Sequence, residues 1–580
     1  MRRYGKYIKP YWKSFVLCPI LMLTEVAGEV VLPAFMANII NVGAAQRNVP
    51  YIIGTGLVML LTALVMMAGG IGGAYFAARA AISFAADLRS DLFCKIQKFS
   101  FQNIDRFSTG SLVTRLTNDI TQVQNVITMG LKLMLRAPGM LIGAVIMAFV
   151  MNAELAMILL IIIPVLAAAI GTVIFIAFPR FEIVQKKIDA VNSRIQEMLT
   201  NIRIIKSFVR DEFETEKFAI ANEELKQSGL SAFKVVILNM PIMMLAMNIT
   251  TLAVVWVGGR QVLAGTMPVG DLTAFTTYIV QVLMSLMMLA MVLLQSSRAV
   301  ASLKRITEIL DTEIDLTDEE ACRKDAVITR GDVEFRNVSF SYFKDGREGR
   351  EKVLSDISFH IKAGETVGII GSTGCGKTSL VQLIPRLYDT DTGEVCVDGV
   401  NVKDYSLRHL RDSVSMVLQK NVLFSGTIEE NLRWGDENAD RETIMAAASA
   451  AQAADFIASF PKQYETNLSQ GGVNVSGGQK QRLCIARALL KQPKILILDD
   501  STSAVDTATE AEIRKSFSTS LKEATKIIIA QRITSVMDAD QIIVMEEGRI
   551  VGMGSHEEML AQCSAYREIY ESQMDKEVGA

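Results

Sequence analysis

Five long stretches without any Asp, Glu, Lys or Arg constrain the fold of this chain more than any other feature. They lie between residues 47 and 79, 136 and 154, 154 and 180, 234 and 260, and 271 and 298. Each is close to or above the roughly 20 residues that a helix needs to cross the core of a bilayer. A sixth apolar segment, at about 14–40, is interrupted only by Glu25 and Glu29. The sequence therefore predicts six transmembrane helices.

Composition indicates that a soluble part is joined to this membrane part. Of the 580 residues, 50% are hydrophobic and 21% are charged. This balance is too apolar for an ordinary soluble enzyme and carries too much charge for a chain that lies wholly in the membrane. The net charge of -3 provides no basic field for nucleic acid.

The distribution of Lys and Arg predicts which side of the membrane each connection occupies. The stretches 79–136 and 179–234 carry many basic residues, whereas the short connections on the other side hold only Arg47 and Arg260. Basic residues also cluster before the first helix, as Arg2, Arg3, Lys6, Lys9 and Lys13. Because basic loops stay on the cytoplasmic side, we expect a multi-pass protein of a bacterial cell membrane with both termini in the cytoplasm. Within these stretches, segments 79–130 and 180–234 are predicted to be helices that continue into the cytosol.

The chain changes character after the last apolar helix. Residues 1–310 form the predicted membrane domain, 311–330 an acidic linker and 331–580 a soluble domain. In the soluble domain, apolar strands such as TVGII and KILILDD alternate with helical segments. Such alternation predicts an α/β domain built on a largely parallel sheet.

Residues 371–378, GSTGCGKT, fit the phosphate-binding loop pattern G-x-x-x-x-G-K-[ST]. They follow an apolar strand and open a helical stretch, which is the context that this motif requires. Lys377 is predicted to reach the β- and γ-phosphates of ATP, and Thr378 to offer its hydroxyl to Mg²⁺. The predicted ATP-binding residues are Gly371, Ser372, Thr373, Gly374, Cys375, Gly376, Lys377, Thr378 and Ser379. The alternative is a glycine-rich turn that binds no ligand.

Two further motifs follow the phosphate loop. KILILDD ends a buried strand on Asp499 and Asp500, and Asp499 suits coordination of Mg²⁺. Between this strand and the phosphate loop lies VSGGQ, at residues 475–479, followed by the helical run KQRLCIARALL.

In this order the three motifs resemble those of ATP-binding cassette exporters, and the resemblance covers essentially the whole chain. It implies a half-transporter: a six-helix, all-α membrane domain of the type I/IV exporter fold, followed by one α/β nucleotide-binding domain. Two such domains in the family bind two ATP molecules head to tail. Each ATP contacts the phosphate loop of one domain and the signature sequence of the other, so a dimer is implied.

The resemblance also assigns roles to individual residues. Tyr342 resembles the aromatic residue that stacks on adenine, and Gln419 resembles the glutamine that contacts Mg²⁺. Thr378, Gln419 and Asp499 are thus the implied Mg²⁺ ligands. The residues implied to act on the partner's ATP are Ser476, Gly477, Gly478 and Gln479 of the signature, with Asp506 of the segment 503–506.

Two positions depart from the pattern of an active hydrolytic site. The family usually has a glutamate after the metal-binding aspartate, and here the residue is Asp500. The family also has a histidine in a pattern like IIAHR, where this chain reads KIIIAQRITS and places Gln531. Such a site is expected to bind ATP and hydrolyse it slowly. The combination resembles the degenerate-site subunit of heterodimeric multidrug exporters, in which a second half-transporter supplies the active site. The alternative is a homodimer with two slow sites.

Two segments are implied to couple the domains: residues 105–113 and 208–216. The substrate class is expected to be amphiphilic small molecules, either drugs or lipids. Glu25 and Glu29 lie four residues apart, on one face of the first helix, and acids within a membrane usually face a cavity or a partner. They are candidates for recognising cationic amphiphiles. The alternatives for them are pairing with the partner chain or a position near the headgroups.

Two further functions remain open at this stage. One is a homodimeric exporter of lipids or peptides with the same architecture. The other is a membrane protein that ATP gates without pumping.

Overall fold

The computed structural model describes residues 4–319, 321–342, 352–500 and 505–578. The chain divides into two units. We call Met1–Gln97 together with Gly110–Asp311 the helical unit. We call Lys98–Thr109 together with Thr312–Ala580 the sheet unit. The short segment Lys98–Thr109, which the sequence places in the membrane domain, therefore groups with the sheet unit.

The helical unit contains six helices that are long and apolar enough to cross a membrane, within the described residues. The spans are Gly5–Ala44, Val49–Gln97, Thr109–Met151, Ala153–Thr200, Asp211–Leu263 and Val269–Val292. The sixth span belongs to a longer helix, Val269–Asp311. The prediction of six transmembrane helices is confirmed.

Several of these helices are far longer than a bilayer requires. Val49–Gln97 has 49 residues and Ala153–Thr200 has 48. At 1.5 Å per residue each is about 70 Å long, whereas the hydrocarbon core is about 30 Å thick. The first of the two predicted extensions, 79–130, is not one helix. Ser100 interrupts it by capping a new short helix, Phe101–Arg106, because its hydroxyl accepts a hydrogen bond from the Asn103 amide.

The rest of this extension continues in short pieces. They are Thr109–Thr114, a π-helical turn at Arg115–Asp119, Ile120–Leu133 and Arg136–Met151. The fifth span is also divided, into Asp211–Ile237 and Asn239–Leu263. Pro241 accounts for that break, because proline has no N–H to donate to the carbonyl of residue 237 and its ring clashes with that carbonyl.

Close backbone contacts hold the first and last spans together. A side chain at Gly270 would place its Cβ 2.4 Å from the Ala37 carbonyl oxygen, so only glycine fits there. The Gly270 amide donates to Asn41 Oδ1 at 2.7 Å. Deeper in the unit, the fully buried Tyr278 donates its hydroxyl to the Val30 carbonyl at 2.9 Å. These bonds satisfy polar groups that the membrane cannot hydrate.

Within the described residues, the sheet unit contains twelve strands. They are β1 Val333–Phe340, β2 Leu354–Ile361, β3 Thr366–Gly371, β4 Thr392–Val397, β5 Val400–Asn401, β6 Val414–Val417, β7 Gly426–Thr427, β8 Asn467–Leu468, β9 Ile495–Asp499, β10 Thr525–Ile529, β11 Gln541–Glu546 and β12 Arg549–Gly554. The main sheet has the order β12-β11-β3-β10-β9-β6, and only β12 pairs antiparallel. The predicted α/β domain with a largely parallel sheet is confirmed.

A second sheet, which the sequence did not predict as a separate layer, has the order β2-β1-β4-β5 and is antiparallel. The sheet unit also contains helices. In the described residues they are Lys377–Gln382, Leu407–Ser413, Ile428–Leu432, Arg441–Ala450, Ala454–Ser459, Gly477–Leu490, Thr507–Ser520, His556–Gln562 and Ser564–Val578. Every residue of β9 and β10 is buried, as expected for central parallel strands with both faces covered. Because β3, β10 and β9 are neighbours, their carboxyl ends meet at one edge of the sheet.

Candidate nucleotide site

The phosphate loop leaves the carboxyl end of β3 through glycines that no other residue can replace. A Cβ on Gly371 would lie 2.1 Å from the Met545 carbonyl oxygen of the neighbouring strand. Gly376 has a φ of +97°, and a Cβ there would lie 2.9 Å from the Val353 carbonyl oxygen. The loop can therefore wrap closely only because these positions lack side chains. Its crest, formed by Ser372, Thr373 and Gly374, is exposed.

Lys377 lies across this loop. Its ammonium group donates to the carbonyl oxygens of Gly371 and Ser372, each at 2.8 Å. The cation is thus held at the loop where phosphate oxygens are expected. Cys375 is buried beneath the loop, so only its backbone is available to a nucleotide.

Asp499 ends β9 and is almost completely buried, with 1% of its surface exposed. Its Oδ1 accepts a hydrogen bond from Thr378 Oγ1 at 3.0 Å. Its Oδ2 is buried and has no hydrogen-bond partner among the described residues. Burial raises the pKa of Asp499, the nearby charge of Asp500 raises it further, and the bond from Thr378 opposes the rise. A buried carboxylate oxygen without a partner beside a threonine hydroxyl fits Mg²⁺, which prefers oxygen ligands.

Asp500 and Gln531 are brought together at the same edge, because they follow the neighbouring strands β9 and β10. Gln531 Nε2 donates to Asp500 Oδ2 at 2.6 Å, and Gln419 Nε2 lies 3.5 Å from the same oxygen. Asp500 has a φ of +48°, in the left-handed region. Burial raises the pKa of Asp500, and the hydrogen bonds from Gln419 and Gln531 oppose that rise. The sequence identified all three residues but not the bond that joins Asp500 to Gln531.

Tyr342 packs beside the loop. Its hydroxyl shares a 2.7 Å hydrogen bond with Ser379 Oγ, and its ring meets those of Phe340 and Tyr388 edge to face. Ser379 is buried, with 5% of its surface exposed. The described structure thus places Ser379 behind the loop, where it fixes the aromatic ring.

The signature sequence begins the helix Gly477–Leu490. Ser476 accepts from the Gln479 amide at 3.3 Å, and the Ser476 amide donates to Gln479 Oε1 at 2.9 Å. This reciprocal capping box holds the helix start, where Ser476 and Gly477 are exposed. Within residues 352–500, no hydrogen bond joins residues 476–479 to the phosphate loop.

Asp506 begins another helix, Thr507–Ser520, and is exposed. It accepts hydrogen bonds from the amide and the hydroxyl of Thr509, at 2.9 Å and 2.8 Å. The backbone bond from Thr509 is the main reason why the pKa of Asp506 lies below its usual value. The remaining part of the predicted segment, residues 503 and 504, lies outside the described residues.

The two predicted coupling segments differ in their surroundings. The first contains the helix Phe101–Arg106, and Asp105 Oδ2 accepts a 2.7 Å hydrogen bond from the Tyr388 hydroxyl within the sheet unit. Burial raises the pKa of Tyr388, and the bond to Asp105 raises it further. In the second segment, the turn after the helix Ile202–Ser207 leaves Phe208 and Val209 72% and 81% exposed.

Glu25 and Glu29 converge on one arginine of the third span. Arg136 Nη1 lies 3.1 Å from Glu25, and Arg136 Nη2 lies 3.3 Å from Glu29. Gln281 of the sixth span donates to the Glu29 carbonyl at 2.8 Å. We call Glu25, Glu29 and Arg136 the charged cluster. It holds two carboxylates and one guanidinium, and both acids have a partner within their own chain.

The ion pairs of Arg136 were not predicted, because in the sequence this residue marks only the cytoplasmic boundary of an apolar run. Arg136 lies 15 residues before the end of its helix at Met151, or about 22 Å along the axis. An arginine at that depth in a span needs an anionic partner, and this requirement could have linked it to the two acids of the first helix.

Comparison with known proteins agrees with this arrangement. The profile of the ABC transporter transmembrane region matches residues 15–286, and the ABC transporter profile matches residues 354–503. A membrane domain of six long helices followed by a cassette with these motifs defines an ABC exporter. The chain belongs to the ABC transporter family.

Among its relatives is the uncharacterized ABC transporter ATP-binding protein YfiB of Bacillus subtilis. It is 41% identical over 577 residues, which cover 100% of this chain and 99% of YfiB. The uncharacterized protein MT1311 of Mycobacterium tuberculosis is 37% identical and covers 98% of this chain, with 97% of its own length matched. A solved structure of a bacterial Atm1-family ABC exporter with ATP bound superposes with a TM-score of 0.79 at 25% identity, over 98% of each chain.

The protein is thus a multi-pass membrane protein with the fold of an ABC exporter. Its cassette is that of an ATP-hydrolysing transporter, a class whose members bind ATP, generally together with Mg²⁺. Export driven by ATP is the activity of this class.

Proposed function

We propose that this chain is one subunit of a heterodimeric exporter of amphiphilic small molecules, with a slow nucleotide site of its own. Its phosphate loop retains ATP, while its signature sequence completes a faster site on a different half-transporter. Both termini and the cassette lie in the cytoplasm in this proposal. It rests on the sheet unit, where an intact phosphate loop adjoins two substituted catalytic positions.

The bond between Gln531 and Asp500 carries the proposal. A general base must reach the attacking water, and the Asp500 side chain is one methylene shorter than the glutamate expected there. Its Oδ2 already accepts a bond from Gln531 at 2.6 Å. Gln531 can donate a hydrogen bond but cannot take up a proton at neutral pH. Loss of a well-placed general base costs about 10² to 10⁴ in rate.

The remaining groups favour tight binding. Lys377 supplies a cation to the phosphates, and Thr378 and Asp499 would hold Mg²⁺ from the protein side, with Gln419 exposed nearby. When bound, Mg²⁺ neutralises charge on the phosphate oxygens. A site that keeps its ATP-binding groups but lacks an effective general base is expected to retain its nucleotide.

The signature helix supports a role on the partner's nucleotide. The N-terminus of a helix carries partial positive charge and favours phosphate. Gly477–Leu490 has 14 residues, and its first residue is exposed and lacks a side chain. Ser476 and Gln479 cap each other, so they present an ordered surface. Gly478 follows in the same turn, and Asp506 presents a second ordered helix start.

The central test is ATP hydrolysis by the purified full chain in lipid nanodiscs. We expect the wild type to bind ATP and hydrolyse it slowly, and the double variant Asp500→Glu with Gln531→His to be about 10- to 100-fold faster, because it regains a longer base and a group that can carry a proton. Lys377→Ala in either background is the control and should abolish nucleotide binding. Wild-type turnover of about 1 per second or faster would contradict the proposal.

The homodimer with two slow sites, exporting lipids or peptides, is the second candidate. It shares the Asp500 and Gln531 geometry and differs only in its partner. An ATP-gated protein without pumping is the third, and uphill transport into sealed vesicles excludes it.

A further inference from the structure

The segment that carries Gln531 is fixed by a side chain from the end of the sheet unit. Gln573 Nε2 donates to the Gln531 carbonyl at 2.8 Å, and Gln573 Oε1 accepts from the Ile533 amide at 2.8 Å. One amide side chain thus satisfies a backbone acceptor and a backbone donor two residues apart. We infer that Gln573 is a positioning residue, which sets the orientation of Gln531 toward the nucleotide.

The backbone at this point needs such a partner. β10 ends at Ile529, and the short turn Ile533–Ser535 begins four residues later. Between them the Gln531 carbonyl and the Ile533 amide lie beyond the sheet, so no neighbouring strand pairs with them. Backbone groups left without partners in a partly buried segment cost free energy, and Gln573 supplies both bonds.

The helix that carries Gln573 is anchored firmly. Tyr566, Ile569 and Tyr570 precede Gln573 by seven, four and three residues, so all four share one face of the helix Ser564–Val578. Tyr566 is fully buried, and its hydroxyl shares a 2.7 Å hydrogen bond with His556 Nδ1. Burial raises the pKa of Tyr566 to about 12, so the phenol remains neutral at physiological pH. Ile569 and Tyr570 pack against the core of the sheet unit.

A second bond fixes the other end of the segment. Arg514 donates to the Thr534 carbonyl at 2.8 Å, and Val536 beyond it is buried. Gln573 therefore holds the segment at Gln531 and Ile533, and Arg514 holds it at Thr534. The Gln531 side chain is exposed and reaches Asp500. A shift of the helix Ser564–Val578 would therefore act directly on the backbone at Gln531.

This inference rests on the proposed nucleotide site, in which the side-chain amide of Gln531 can donate a hydrogen bond to the γ-phosphate. If that role holds, Gln573 affects the discrimination of ATP from ADP, because only ATP carries the phosphate that Gln531 would contact. Replacing Gln573 should then weaken ATP binding with little effect on ADP.

The test uses the full chain in nanodiscs with Gln573→Ala and Gln573→Glu, and Ser572→Ala as the control on an exposed neighbour. Hydrogen exchange of the peptide that contains Ile533 should increase in Gln573→Ala. It should stay protected in Gln573→Glu, which keeps the acceptor. The ratio of the ADP Kd to the ATP Kd should fall about three- to tenfold in Gln573→Ala, as expected for one hydrogen bond.

Gln531→Ala separates this inference from the proposal on which it rests. If Gln531→Ala leaves the ratio unchanged, the role of Gln531 is wrong, and hydrogen exchange still tests the contact made by Gln573. Unchanged exchange at Ile533 in Gln573→Ala would overturn the inference. Equal losses of ATP and ADP affinity with a lower Tm would also overturn it, because they indicate a structural role alone.

Discussion

The proposed role of Asp499 as a Mg²⁺ ligand comes with a cost in the stability of the nucleotide-free protein. Its buried carboxylate accepts one bond from Thr378, while Oδ2 has no partner among the described residues. Burial raises the pKa of Asp499, so ionisation opposes folding. The contribution of Asp499 to the free energy of unfolding is therefore fully present below its ordinary pKa of about 3.8. It is lost as the pH rises through the higher pKa that this group has in the folded protein.

Asp499→Asn should therefore stabilise the nucleotide-free protein. Asparagine keeps an acceptor for Thr378 and removes the buried charge. We expect a Tm about 2–4 °C higher at pH 8, which corresponds to about 1 kcal/mol, with a smaller gain at pH 5. Stabilisation by Mg·ATP should be lost. Thermal unfolding at both pH values, with and without Mg·ATP, is the measurement. A lower Tm for the variant at pH 8 would contradict the account.

The charged cluster leads to a second prediction at the residue scale. It carries one carboxylate more than its single arginine can neutralise. Glu25→Gln should reduce export of a cationic dye about tenfold, the effect expected for one charged hydrogen bond, and leave a neutral dye of similar size within twofold. Arg136 keeps Glu29 at 3.3 Å, so the arginine remains paired in the variant. Glu154→Gln, in another span, is the matched control. Equal effects on both dyes would exclude recognition of the cation.

Sequence predicted the site residues where the chemistry is local. The spacing of GSTGCGKT specifies glycines, lysine and threonine within eight positions, so the loop could be read directly. The contact between Asp500 and Gln531 could not, because it joins residues 31 apart and depends on β9 and β10 being neighbours. The pairing of Arg136 with Glu25 and Glu29 was missed for the same reason.

At the scale of elements, the segment Lys98–Thr109 and the strands of the sheet unit make one structure. The Phe101 ring lies 6.0 Å from that of Tyr388, and Tyr388 in turn contacts Tyr342 beside the phosphate loop. The hydroxyl of Tyr388 adds the bond to Asp105. A continuous set of contacts therefore connects this segment to the phosphate loop through Ser379.

Tyr388→Phe should weaken the coupling between substrate transport and ATP hydrolysis, and it should preserve nucleotide binding. The aromatic packing remains, and one bond to a carboxylate is lost, which is worth about 1.5–3 kcal/mol. We expect the ATP Kd to change less than twofold and the stimulation of ATP hydrolysis by transported dye to fall about three- to tenfold in the reconstituted transporter. Tyr405→Phe is the matched control, because the buried Tyr405 donates to the Val397 carbonyl instead. A loss of stimulation of equal size in both variants would contradict a specific role for Tyr388.

The elements were predicted to different degrees. Hydropathy gave the six spans, because a membrane helix needs a long apolar run whatever its packing. The interruption at Ser100 was missed, since a capping serine in a polar stretch leaves no mark on hydropathy. The antiparallel sheet of β1, β2, β4 and β5 was also missed, because pairing between distant strands is not encoded in any one of them.

At the scale of the whole molecule, the proposal is that the chain contributes two half-sites to a dimer. Its phosphate loop and its signature sequence are both intact, yet no hydrogen bond joins them within residues 352–500. In the proposed function, a second cassette completes each half-site. If the proposal is right, the substitutions at Asp500 and Gln531 determine which of the two sites in the dimer hydrolyses ATP quickly.

The most direct test of this claim is to purify the chain from its native membrane in mild detergent and identify what accompanies it. The account predicts a second half-transporter in equal amount, with glutamate and histidine at the positions of Asp500 and Gln531. Recovery of this chain alone, as a dimer with itself, would contradict the heterodimer and leave two slow sites.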